Sequence, residues 1–204
     1  MDRAAVKEEI LLATLPHVPA DGWTRRSLVA GARDAGFATD EAMRAFPDGM
    51  SAVVDFMSAY FDARMLTVFA SRDFARMRVR DRVTAGVRLR LELVRPHRDA
   101  VRRALSFRLL SPNASSATGA AWRTASAIWY AAGDQSTDFN FYTKRAILVG
   151  VYVGTTLYWL DDSSEDCADT WDFLDRRIAN AMAIPKFDPR SFLGRCLRAV
   201  PIRG

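Results

Sequence analysis

Apolar residues recur along this 204-residue chain at three- and four-residue spacings, and strict alternation is almost absent. That spacing predicts helices throughout. Val6, Ile10, Leu11 and Leu15 make one stripe over Asp2–Leu15, stopped by Pro16 and Pro19. Thr24 is placed to cap a helix over Arg25–Ala35, whose Leu28, Val29 and Ala32 share a face before Gly36 ends it. A short helix begins at Thr39-Asp40-Glu41 and stops at Phe46-Pro47. A long one follows over Met50–Ser71, with a wide stripe rich in aromatic residues and Met: Phe56, Met57, Tyr60, Phe61, Met65 and Phe69. Helices are expected around Arg78–Leu93, Ala100–Leu110 and Ala114–Ala132, where Trp122 and Trp129 lie seven apart on one face.

The stretch Gly133–Tyr158 organises the rest. A polar turn holds Ser136, Thr137 and Asp138, and Asp138 directly precedes the first periodic apolar residue, Phe139, so it is the expected N-cap. The helix over Phe139–Leu160 is apolar on nearly every face beyond Arg145. Such a helix is either a central core element or the wall of an apolar space. Its apolar part is short and interrupted by Gly150 and Gly154, which argues against a membrane span. Beyond it, Ser164 is expected to cap a helix opening with Glu165 and Asp166 and running to Ala183, with Trp171, Phe173, Leu174, Ile178 and Met182 facing inward.

Charge changes this picture in places. The net charge is only +5, yet the stretch Arg72–Arg108 carries twelve arginines against four acids. Such a block attracts phosphate or forms a solvated face, and the solvated face is the simpler reading. The tail Pro189–Gly204 combines Phe192, Leu193, Leu197 and Val200 with Arg195 and Arg198. It reads as a basic amphipathic segment suited to an anionic membrane surface, or as a docked terminus. Cys167 and Cys196 fit no metal or redox spacing. The charged start lacks the apolar core of a secretory signal, and its acids argue against a transit peptide. The expected location is therefore the bacterial cytoplasm, peripherally associated with the inner membrane.

Residues 1–49 order as helix, helix, Gly-containing turn, helix, then Phe46-Pro47-Asp48-Gly49. This resembles the N-terminal helix-turn-helix module of TetR repressors. Arg, Lys, Asn and Gln read base edges best, whereas the candidate recognition helix presents Thr39, Asp40, Glu41, Met43 and Arg44. Its two leading carboxylates would repel phosphates, so no nucleic-acid partner is expected, and a transcriptional regulator with a hydrophobic ligand pocket is the alternative. Nor is catalysis expected. His17 and His97 have no obvious partner, no nucleophile lies beside a base, and neither a phosphate loop nor a dinucleotide fingerprint occurs. The acids of Asp161–Asp166 lack histidine neighbours and calcium-loop spacing, so no metal or cofactor is expected.

Two segments carry a longer resemblance: Ala132-Gly133-Asp134-Gln135-Ser136-Thr137-Asp138-Phe139-Asn140-Phe141-Tyr142-Thr143-Lys144-Arg145, and Leu160-Asp161-Asp162-Ser163-Ser164-Glu165-Asp166 continued by Asp169–Ile178. They resemble the accessory lipid-binding family of ubiquinone biosynthesis, the ninth coenzyme Q protein of mitochondria and its bacterial homologues. The resemblance implies an all-α, TetR-like bundle of about nine to ten helices with a degenerate helix-turn-helix. It divides the chain into an N-terminal module over 1–49, a lipid-binding helical domain over 50–184 and a basic amphipathic tail over 185–204. It further implies a non-catalytic, homodimeric protein that binds isoprenoid quinone intermediates or phospholipid in an apolar cavity. The protein would present them to a ubiquinone-pathway ring hydroxylase at the membrane. On that reading the lipid-binding candidates are Phe56, Met57, Tyr60, Phe61, Met65, Leu105, Leu109, Trp122, Trp129, Leu148, Tyr152 and Leu157. The partner-binding set is Asp138, Phe141, Tyr142 and Arg145, and the membrane set is Phe192, Leu193, Arg195, Leu197 and Arg198.

Overall fold

The computed structural model describes residues 2–74, 76–110, 115–134 and 139–183. Every regular element among them is helical. Helix α1 (Arg3–Thr14) is capped by the Asp2 carboxylate, which accepts from the Ala4 N–H at 3.2 Å. A 3-10 turn through Pro16 and a single α-turn, α2 (Val18–Asp21), lead to Gly22. Helix α3 (Arg25–Asp34) starts on the expected Thr24 cap, which exchanges hydrogen bonds with Ser27 as a capping box. Helix α4 (Thr39–Ala45) has Glu41 reaching back to accept from the Ala38 N–H at 2.8 Å. These four pack together, and α1 lies very close to α3: a Cβ on Gly31 would meet the Thr14 backbone at 2.5 Å.

The body begins with α5 (Met50–Ala70), followed by α6 (Val79–Val94) and α7 (Arg98–Leu110). Pro96 does not end the path, because Arg95–His97 forms a 3-10 turn that carries α6 into α7. Helix α8 (Ser115–Ala131) stops in a Schellman motif: the Asp134 N–H returns to the Trp129 carbonyl at 3.0 Å and the Gly133 N–H to Tyr130 at 3.0 Å. The motif needs positive φ at Gly133, which stands at 85°. Helix α9 (Phe139–Asp161) packs between α8 and α10 (Ala168–Ala183). Trp23 joins module to body by donating its indole N–H to the Ala100 carbonyl of α7 at 3.0 Å. One apolar core runs through both, from Ile10 and Leu28 to Val53, Leu91, Ile128 and Trp159.

Three expectations change. Ser164 does not cap α10 alone; Asp162 does most of that work, accepting from the Ser164 N–H and hydroxyl and from the Thr170 N–H and hydroxyl. Burial alone would raise the Asp162 carboxyl, but these Ser164 and Thr170 hydrogen bonds hold it at about 2. Second, the block Arg72–Arg108 is more than a solvated face. Arg98 and Arg102 donate to the Asp162 and Leu160 carbonyls at the end of α9, and Arg95 and Arg102 pair with Asp166 and Asp161. A helix C-terminus leaves carbonyls unpaired, and guanidinium groups satisfy them. Third, His17 does find a partner: its Nε2 lies 2.7 Å from Asp34 Oδ2.

Candidate functional site

Where α5, α6, α7, α8 and α9 meet, packing is incomplete. They enclose a cavity of about 350 Å³ with mostly apolar walls. Met57 comes from α5, Leu91 and Val94 from α6, Leu105 and Leu109 from α7, Ala121 from α8, and Val149, Val153 and Leu157 from α9. Side chains on each helix reach it at three- and four-residue intervals, as a helical face requires. The mouth is apolar as well: Leu109 is 76% exposed and Leu157 54%. Helix α9 is therefore not buried all round. One side, with Val149, Val153 and Leu157, walls the cavity and another, with Gly150, is open.

Five of the twelve lipid-binding candidates line this space: Met57, Leu105, Leu109, Tyr152 and Leu157. The other seven lie elsewhere. Phe56 packs edge-on against Phe46, 5.7 Å between centroids, at the N-terminal module. Tyr60 turns toward Glu8 of α1, and burial raises its phenol pKa. Phe61, Met65 and Leu148 are buried in the common core. Trp129 donates its indole N–H to the Lys144 carbonyl at 3.1 Å, and Trp122 stacks near Tyr142, so both fasten α8 to the start of α9. The two tryptophans share a face, and it packs against the start of α9, outside the cavity lining.

The sequence reading missed the polar part of the cavity wall. Arg90 of α6 lines the space and donates Nε to Asp62 Oδ1 of α5 at 2.7 Å. Thr124 of α8 donates to the same carboxylate, with both oxygens 3.0 Å away. Arg108 also lines the space and pairs with Asp55 at 2.7 Å. The signal was present: Asp55 and Asp62 stand seven apart on one face of α5, and Arg90 falls on the stripe Val83, Val87, Arg90, Val94. A carboxylate and a guanidinium at core positions each demand the other. Tyr152 of α9 lines the cavity too; burial raises its phenol pKa, outweighing the lowering effect of the Arg90 charge.

A second feature lies at the start of α9. Tyr142 is 62% exposed, edge-on to Phe141 at 5.1 Å. Arg145 is buried beneath them, its guanidinium 3.4 Å from the Phe141 ring centre and 3.2 Å from Asp134 Oδ2. It thus supports the aromatic pair from below and does not offer its charge at the surface. Asp138 and the membrane set Phe192, Leu193, Arg195, Leu197 and Arg198 lie outside the described residues. Among the described residues no His, Cys, Asp or Glu cluster suits a metal ion, and no helix is long and apolar enough to cross a membrane.

Residues 114–185, which include α8, α9 and α10, match the COQ9 family model. The chain resembles the COQ9 family. Over 184 residues it is 36% identical to the rat "Ubiquinone biosynthesis protein COQ9, mitochondrial", covering 87% of this chain and 59% of that protein. The human COQ9 protein is 34% identical, with 87% and 58% covered. The chain thus spans a little over half the length of these COQ9 relatives. Among solved structures, a TetR transcriptional regulator from Nitrosomonas europaea superposes with a TM-score of 0.71 at 19% identity, covering 86% of this chain and 97% of that one. At that identity the likeness shows the fold, and it establishes the expected all-α, TetR-like bundle. The COQ9 relatives are mitochondrial by name, which overturns the expectation of a bacterial cytoplasmic protein at an inner membrane. That expectation leaned on the cysteine spacing, on the charge pattern at the start of the chain and on the resemblance, none of which fixes a compartment.

Proposed function

We propose that this chain serves ubiquinone biosynthesis as a non-catalytic accessory protein that shelters an isoprenoid lipid or quinone intermediate. The observation that carries this reading is the apolar cavity of about 350 Å³, walled in part by the COQ9-like segment. Ligand pockets span roughly 300–1,000 Å³, so this one takes a ring and a short length of chain, and a longer tail leaves through Leu109 and Leu157. Removing such a chain from water is favourable in proportion to its apolar area, and nothing covalent is asked of the protein. Phe141 and Tyr142 are the surface for a pathway hydroxylase, held at the end of the helix that walls the cavity. The membrane contact, phospholipid as an alternative ligand and a second copy of the chain belong to the same reading, and the resemblance alone supports them.

The test is lipid analysis of the purified protein by mass spectrometry. An isoprenoid lipid or quinone is expected to co-purify, and Val153→Trp, which fills the cavity from its mouth, should cut the bound amount about tenfold while the protein stays folded. Protein free of lipid in both forms counts against the reading. A DNA-binding regulator is the alternative. Against it, α4 opens with Asp40 and Glu41, and Arg44 is paired with Asp40. Sequence-selective binding to duplex DNA that weakens with salt would favour it.

A further inference from the structure

Of the arginines in the N-terminal module, Arg3 donates to the Arg44 carbonyl at 3.3 Å, Arg26 pairs with Asp21 and Arg44 pairs with Asp40. Arg25 and Arg33 differ: among the described residues neither has a hydrogen-bond or ion-pair partner. Both line a surface cleft of about 650 Å³ that shares no residue with the apolar cavity. One wall is the face of α3 that carries Arg25, Arg26, Ala30 and Arg33, and the other is formed by His17 and Asp21, from the 3-10 turn and α2. Three guanidinium groups therefore line the cleft with one carboxylate. Asp21 stands 3.3 Å from Arg26, an exposed pair that a stronger anion can displace, and nearby Asp34 is taken by His17 Nε2 at 2.7 Å. Local preference opposes this arrangement. Arg25 and Arg26 occupy the first turn of α3, where the macrodipole favours acids and none is present. Residues kept against local preference are expected where a ligand compensates them.

The chemistry that fits is phosphate. The planar fork of a guanidinium matches two phosphate oxygens, and such pairs are among the stronger hydrogen bonds proteins make. Arg25 and Arg33 lie two turns apart, about 12 Å along the helix axis, so their long side chains can close on one group from both ends, with small Ala30 between them. The position in the fold agrees. Helix α3 is the first helix of the helix-turn-helix, the one that crosses the phosphate backbone when such a motif meets DNA. Helix α4, the base-reading half, opens with Asp40 and Glu41. The part suited to phosphate is present without the part suited to base sequence. We propose that the cleft between α2 and α3 is a phosphate site, in which Arg25 and Arg33 clamp a phosphomonoester group carried by a soluble molecule or by a lipid head. The site is separate from the apolar cavity and does not depend on lipid carriage.

The test uses the purified full chain in two arms. In the first, inorganic phosphate is titrated and followed by phosphorus NMR, with chloride holding the ionic strength constant. Saturable binding is expected, and the double variant Arg25→Gln with Arg33→Gln should weaken it at least about tenfold. Both side chains are exposed, so the variant is expected to stay folded. Should it misfold, Ala30→Glu, which sets a carboxylate between the arginines, is expected to give the same loss. Arg44→Gln removes an equal charge outside the cleft and should leave binding within about twofold. In the second arm, the chain is floated with phosphatidylcholine vesicles that contain or lack phosphatidic acid. Capture that needs phosphatidic acid and is lost in the double variant assigns the phosphate to a lipid head. Phosphate binding without such capture assigns it to a soluble ligand. No saturable binding in either arm, or equal weakening by Arg44→Gln, overturns the proposal. So does binding of duplex DNA that is tighter than phosphate and abolished by the double variant, since the arginines would then serve a nucleic-acid backbone.

Discussion

At Gly31, helices α1 and α3 approach so closely that one added carbon would overlap the Thr14 backbone. At Gly150 and Gly154 of α9, no described residue lies within 4 Å of the same added carbon. The N-terminal module and the body share one core and one packing rule, yet the first is closed and the second is partly hollow. The module has capped helix starts and fully buried Ile10, Leu11 and Leu28. The body leaves a cavity and exposes Leu109, Val153 and Leu157 around it. Native interiors are packed to crystal-like density, so a cavity of this size is kept at a cost in stability. That cost has a purpose if the space is occupied, which is why lipid carriage is sought in the body and rigidity in the module.

The contrast can be broken in three places. Gly31→Ala should have the largest effect, a loss of about 2–3 kcal/mol, because the methyl group meets backbone that cannot turn away. Chemical denaturation measures it, and a near-neutral result would mean that α1 and α3 separate easily and that the module is not the rigid half. Next, Asp162 holds the α9–α10 corner from the body side. Its folded pKa of about 2 lies below the ordinary 3.8, so its contribution is present in full above the unfolded value and is lost as pH falls toward 2. Asp162→Ala should cost about 1–2 kcal/mol at neutral pH, after allowance for partial screening near the surface, and should flatten the stability profile between about pH 4 and pH 2. A variant with an unchanged acid profile would assign that stability to other carboxylates. The smallest effect is expected at Gly154→Ala, a gain of up to about 1 kcal/mol from helix propensity with no neighbour to displace. A loss there would show that this side of α9 is covered in solution.

Legibility in the sequence followed distance along the chain. The Thr24 cap, the Gly36 stop, the Gly133 turn and nearly every helix boundary depend on residues within a few positions, and these were readable. Met57, Leu105, Leu109, Tyr152 and Leu157 were picked out for the cavity because apolar periodicity marks an inward face. Phe56, Tyr60, Phe61, Met65, Trp122, Trp129 and Leu148 carry the same mark and pack against protein instead. Periodicity distinguishes inward from outward, and it cannot distinguish a filled interior from an empty one.

The sequence by itself determined an all-helical chain, the sites of its turns, a helix-turn-helix start with an acidic reading helix, and the likeness to COQ9. Helical order is local, set by four-residue hydrogen bonds and their caps. Tertiary structure alone decided that Arg90 and Thr124, 28 and 62 residues along the chain from Asp62, both meet its carboxylate beside the cavity. It also decided that five helices fail to fill the space beside them. Which charge finds which, and where volume is left over, depends on how faces distant in sequence come together, and each face is compatible with many partners until the others are in place.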